Sequence, residues 1–114
     1  MKILYDEKYD ILDVFFNETN HDSVTASYEL RDGIVLYVSE NMVPRQLKVV
    51  NYRRLTEFPM IHFNRFAKLP ETIREQLSAL LTSPPLSAFI RIDSETNYGY
   101  LINQPILEAC HREF

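Results

Sequence analysis

The sequence holds a single cysteine, Cys110, so no disulfide can close within the chain. That usage fits a reducing, cytoplasmic setting. Glycine is almost as scarce: Gly33 and Gly99 are the only two. A glycine-rich cradle for nucleotide phosphates is excluded on that ground. No run approaches the roughly 18 apolar residues that a spanning helix needs, so no membrane segment is expected. The start, Met1 to Asp6, reaches an acid too soon for the apolar region of a signal peptide. Internal repeats and low-complexity tracts are also missing.

What remains is ordinary globular material. The chain has 114 residues, 46% hydrophobic and 25% charged, which suits one domain rather than a disordered segment. A chain of this size buries roughly two thirds of its unfolded surface, enough for a core without covalent staples. The net charge of -4 is unevenly spread. Residues 1–44 hold three Lys/Arg and nine Asp/Glu, residues 45–68 hold six and one, and residues 69–114 hold three and six. Segregated charge of this kind can steer a partner or a second copy of the chain.

Alternation dominates the first half. Ile3 and Tyr5 share one strand face, and Leu12, Val14 and Phe16 share another, with a charged turn from Asp6 to Asp10 between them. The crowded polar residues Asn17 to Ser23 read as a loop. Val24, Ala26, Tyr28 and Leu30 alternate with Thr25, Ser27 and Glu29, and Arg31-Asp32-Gly33 signals a turn. Ile34 to Val38 is apolar on both faces, as a central strand would be. A turn from Ser39 to Pro44 follows, and Leu47 and Val49 against Gln46 and Lys48 give a fifth strand. Residues 1–52 are therefore expected as an antiparallel meander of about five strands.

Residues 53–114 are expected to add a helix and a second hairpin to it. Pro70 suits a first helical turn, and Glu71 the positive end of a helix dipole. Ile73, Leu77, Leu80 and Leu81 form one apolar stripe, and Ser83-Pro84-Pro85 ends the run. The spacing predicts a helix over about 70–82 covering one face of the sheet. Leu86, Ala88, Ile90 and Ile92 then alternate as a strand, and Tyr98, Tyr100 and Ile102 return. Ile106 to His111 is short enough to be a terminal helical turn. The fold class expected is α+β, in a single domain.

Met1-Lys2-Ile3, Tyr5-Asp6, Asp10, Leu12 and Val14, followed by Gly33-Ile34-Val35-Leu36, resemble the domain of unknown function 2283 family. The resemblance covers residues 1 to about 52. It implies a short curved antiparallel sheet, and an accessory or antitoxin-like role beside small toxin-like proteins. It implies no catalytic residues.

Candidate chemistry is sparse. Asp6, Asp10 and Asp13 could gather around a divalent cation, but they lack the alternate spacing, glycine and closing glutamate of a calcium loop. An acid-rich hairpin turn, with Asp10 capping it, is the better reading. His21-Asp22-Ser23 has triad residue types in a row, whereas a triad is built from separated segments. His62, Cys110 and His111 lack the paired ligands of a zinc site. No metal, no cofactor and no catalytic constellation is therefore assigned.

One stretch stands out. Arg45, Lys48, Arg53, Arg54, Arg65 and Lys68 interleave with Tyr52, Phe58, Phe63 and Phe66. These six cations are the candidate interaction surface. The leading expectation is a non-enzymatic protein-interaction module, a homodimer or one that takes a protein partner. Nucleic-acid binding through 45–68 is the alternative, since cations neutralise phosphates and exposed rings stack on bases; the acidic pI of about 5.3 argues against it. Small-molecule binding in a concavity lined by Tyr and Phe, seven of each, is a further alternative.

Overall fold

In a computed structural model, which describes residues 1–16 and 24–103, the front half folds as five antiparallel strands. They are β1 (Lys2–Asp6), β2 (Ile11–Phe15), β3 (Ala26–Arg31), β4 (Ile34–Ser39) and β5 (Val43–Val50). Their order across the sheet is β1-β2-β5-β4-β3. Two hairpin-linked groups, β1-β2 and β3-β4-β5, meet where β5 pairs with β2. β5 holds the middle, and β4 beside it is interior as expected, paired with β5 on one edge and β3 on the other.

Turn chemistry sets these joints. At the first hairpin the Asp6 carboxylate accepts the backbone N–H groups of Lys8 and Tyr9 at 3.0 and 3.2 Å. Such a side-chain-to-backbone bond mimics a backbone turn. Asp10 closes the loop at φ 56°, in the left-handed region that Asp tolerates better than most residues. Gly33, at φ 88°, performs the same reversal between β3 and β4 without a Cβ to strain.

After β5 the chain turns at Asn51 (φ 61°) into a short helix, α1 (Tyr52–Thr56). A two-residue strand β6 (Ile61–His62), a helical turn α2 (Asn64–Ala67) and the main helix α3 (Glu71–Leu81) follow. α3 begins one residue after Pro70 and buries Leu77 and Leu81, with Ile73 and Leu80 partly covered. This is the stripe that the i, i+4, i+7, i+8 spacing calls for.

Leu86 to Ala88, expected as the start of a strand, forms a 3₁₀ turn instead. Pro84 and Pro85 supply no N–H to a ladder. Ala88 donates to the Pro85 carbonyl and Phe89 to that of Leu86, so Leu86 and Phe89, three apart, are both buried. The strand proper, β7, is only Ile90–Ile92.

β7 and β8 (Tyr98–Leu101) make the second hairpin, and β6 adds to it. The result is a separate three-stranded sheet, ordered β6-β8-β7. Gly99 sits mid-sheet between Ile61 and Ile92. A Cβ there would lie 1.8 Å from the Arg91 carbonyl oxygen, so β8 can approach β7 only as glycine.

One apolar cluster joins the two sheets and the helices. Leu12, Val14, Ile34, Leu36, Leu47 and Val49 of the large sheet meet Tyr52, Phe63, Phe66, Leu77, Phe89, Ile90 and Leu101. Among the described residues, no helix is long and apolar enough to cross a membrane.

Candidate functional site

The six cations of 45–68 do not form one surface. Arg45 shares the inward parity of Leu47 and Val49 on β5 and is only 8% exposed. That removes it from an accessible set. Lys48 lies on the opposite face of β5, with Asp13 of β2 and Val35 of β4 as its register partners. Arg65 pairs with Glu29 at 3.1 Å. Lys68 shares with Arg65 a groove of about 240 Å³, also lined by Ser27, Tyr28 and Leu69. Phe63 and Phe66 are core residues, whereas Phe58 is exposed.

The backbones of Arg53 and Arg54 meet an acid of the front half. Their N–H groups donate to the Asp10 carboxylate at 2.8 and 3.3 Å. The N–H of Tyr52 donates to the Asp10 carbonyl at 3.0 Å. The first N–H groups of a helix have no partner within it. Asn51, at the cap position, makes no side-chain cap bond. Asp10 supplies the cap from a different segment, so the residue that closes the first hairpin also caps α1.

The same carboxylate accepts the Tyr5 hydroxyl at 2.6 Å. Burial pushes the Tyr5 phenol up to about 12, and the hydrogen bond and charge of Asp10 add to the shift; Arg53 opposes it. The Arg53 guanidinium lies 5.1 Å from the Tyr5 ring centre, a cation–π contact. Tyr5 meets Tyr52 edge to face at 6.3 Å, and the Tyr52 hydroxyl donates to the Ile102 carbonyl at 2.6 Å. Asp10 thus joins the first hairpin to α1, and Tyr52 carries the connection on to Ile102, just past β8.

The three aspartates of the opening stretch therefore diverge. Asp6 serves its turn, Asp10 serves α1 and Tyr5, and Asp13 accepts from the Gln46 side-chain amide at 2.8 Å. Among the described residues, no three His, Cys, Asp or Glu side chains gather to hold a metal. The loop expected over Asn17 to Ser23, with His21, Asp22 and Ser23, and Cys110, His111 and the helical turn expected at Ile106 to His111 lie outside the described residues.

Sequence reasoning missed two surfaces. The first is the second face of the large sheet. Strand alternation sends Leu4, Ile11, Phe15, Val35, Tyr37 and Val50 to the side opposite the core. All six are half-buried and none packs on the core cluster. Asp13, Gln46 and Lys48 stand among them as adjacent register positions on β2 and β5. The signal was present: Ile34 to Val38 is apolar at every position, and only one of its faces meets the helices and the second sheet.

The second is the outward side of the small sheet, which holds His62, Tyr98, Tyr100 and Arg91. There the tyrosines face out and Gly99 and Leu101 face in. His62 and Tyr98 stack at 4.5 Å between ring centres. Two further open cavities, of about 320 and 280 Å³, lie along α3. The larger is lined by Phe66, Glu71, Arg74, Glu75, Ser78 and Ser94, a single ring among polar groups rather than a Tyr/Phe-lined concavity.

No family model matches the chain, and nothing matches it among curated proteins or solved structures. The resemblance of residues 1 to about 52 thus rests on their motif residues alone.

Proposed function

We propose that the protein is a self-associating interaction module whose contact surface is the open face of the five-stranded sheet. The observation that carries this reading is the set Leu4, Ile11, Phe15, Val35, Tyr37 and Val50, large apolar side chains on a sheet face outside the core cluster. The apolar side chains lie on either side of Gln46 and Lys48, with Leu4, Ile11, Phe15 and Val50 on one flank and Val35 and Tyr37 on the other, and apolar groups bordered by polar ones in this way mark interaction sites.

A second copy of the chain is the occupant the face fits. Asp13 and Lys48 are direct register partners on β2 and β5, near the middle of the face. In a two-fold interface residue i meets j and j meets i. An axis passing between them sets each Asp13 opposite the Lys48 of the other copy. Face-to-face sheets pack about 10 Å apart, so the flanking apolar side chains then interdigitate.

Sedimentation velocity across about 1–100 µM tests this. The expected result is a dimer that survives 0.5 M salt. Tyr37→Glu with Phe15→Glu gives monomer with an unchanged circular dichroism spectrum. Asp13→Lys alone weakens the dimer, and Asp13→Lys with Lys48→Asp restores it. A monomer at 100 µM, or a dimer indifferent to all these changes, overturns the reading.

A further inference from the structure

The outward side of the small sheet has a different chemistry and a different occupant. His62 on β6, Tyr98 and Tyr100 on β8, and Arg91 on β7 run diagonally across it, His62 paired with Tyr98 and Arg91 with Tyr100. Tyr98 and Tyr100 are 42% and 44% exposed on a sheet surface, with their rings two residues apart along one strand. The row continues past the β6 edge to Arg31, whose guanidinium donates to the His62 carbonyl at 3.1 Å. At the other end, Arg91, the register partner of Tyr100, has its Nε donating to the Ser87 carbonyl at 3.1 Å, which holds that guanidinium at the β7 side. Three rings are thus flanked by two held cations.

We infer that this face binds single-stranded nucleic acid. Exposed rings on a sheet stack with unpaired bases irrespective of sequence, because every base has a π-face. Tyr98 and Tyr100 stand about 6.7 Å apart by strand rise. A strand drawn out beyond its stacked rise of about 3.4 Å can lay successive bases on them. His62 stacks on one face of Tyr98 and backs it, so a base meets the other face of Tyr98 and the ring of Tyr100. Arg31 and Arg91, held at the two ends of the row, are the cations available to its phosphates.

No carboxylate occupies the outward positions of β6, β7 and β8. Asp93 follows β7, and its Oδ1 accepts the Glu95 N–H at 2.9 Å. The net charge of -4 opposes this binding at long range, so the site rests on stacking and on the two cations at the ends of the row. A duplex buries its base faces and offers this row nothing to stack on. This site also differs from the basic stripe over 45–68, of which only His62 belongs to the platform.

Fluorescence anisotropy of labelled dT12, U12 and a 12-base-pair duplex with the full-length chain at 20–200 mM salt tests the inference. Both single strands should bind at low salt, and the duplex at least tenfold more weakly. The ratio of U12 to dT12 affinity separates RNA from DNA as the preferred source. Tyr98→Ser with Tyr100→Ser should cost at least tenfold in affinity with an unchanged circular dichroism spectrum. Arg91→Ala should lower the logarithmic salt slope by about 0.7. The monomeric Tyr37→Glu, Phe15→Glu variant should retain binding, so failure of this site and failure of the dimer are read separately. Absence of any anisotropy change at 20 mM salt, equal binding of duplex, or indifference to the tyrosine changes overturns it.

Discussion

The two faces of the five-stranded sheet are built from similar residues and meet different surroundings. Inward, Leu12, Val14, Ile34, Leu36, Leu47 and Val49 are wholly buried under the helices and the small sheet. Outward, Leu4, Ile11, Phe15, Val35, Tyr37 and Val50 are half-buried, with Asp13, Gln46 and Lys48 in their midst. Apolar content alone does not tell the faces apart. Polar residues do: the inner side admits Arg45 near the end of β5, whereas the outer side places a carboxylate, an amide and an ammonium together at its middle. A face meant for permanent burial within one chain has no use for that trio, but a face meeting a second copy gains register from it.

The sharpest way to break this comparison is to truncate the same residue type on each side. Leu36→Ala, inside, should cost about 3–5 kcal/mol in urea unfolding, as buried leucines do. Leu4→Ala, outside, should cost about 1 kcal/mol in dilute protein, in proportion to its smaller burial. The outer cost should rise with protein concentration, because a dimer binds only the folded state. Equal costs for the two leucines, or an outer cost independent of concentration, would erase the distinction.

The corner at Asp10 closes the inner side, and its removal should rank next. Asp10→Ala uncaps α1 and strands the Tyr5 hydroxyl, an expected loss of about 2–4 kcal/mol. Asn51, at the cap position, makes no side-chain bond that could compensate, and the lost acceptor lies on the other segment. Urea unfolding checks the figure, and a loss under 0.5 kcal/mol would mean that water replaces the carboxylate without cost.

The smallest effect is also the most specific. Tyr5 titrates near 12 in the folded chain against an ordinary value of 10, so the folded state holds its proton longer than the unfolded one. The stability this contributes is fully present below pH 10 and is lost as pH rises from 10 to about 12. Tyr5→Phe should cost about 1–2 kcal/mol at pH 8 and flatten this alkaline decline. Parallel slopes for the two proteins between pH 10 and 12 would show that Tyr5 is not the titrating group.

Much of this architecture was legible locally. Alternation at Leu12/Val14 and Leu47/Val49 gave strands with the right faces, and the stripe Ile73, Leu77, Leu80, Leu81 gave α3. The features that escaped depend on distant partners. Ile61–His62 is too short to carry a period and is a strand only because β8 passes beside it. The insertion of β5 between β2 and β4 follows from how two hairpins dock, which no window of sequence contains. Asp10 looks like a turn residue until Arg53 and Arg54 arrive at its carboxylate. Arg45, by contrast, was readable: its parity with Leu47 and Val49 already pointed it inward.

Gly99 leads to a consequence about descent. Where its hydrogen meets the Arg91 carbonyl, even a methyl group has no room. Any lineage that preserves the small sheet is held to glycine at this one position, while the outward tyrosines on either side are open to drift unless selection for a ligand retains them. Divergent relatives that keep the glycine and lose both rings would mark the sheet as inherited scaffolding. Relatives that keep all three would mark it as a working surface.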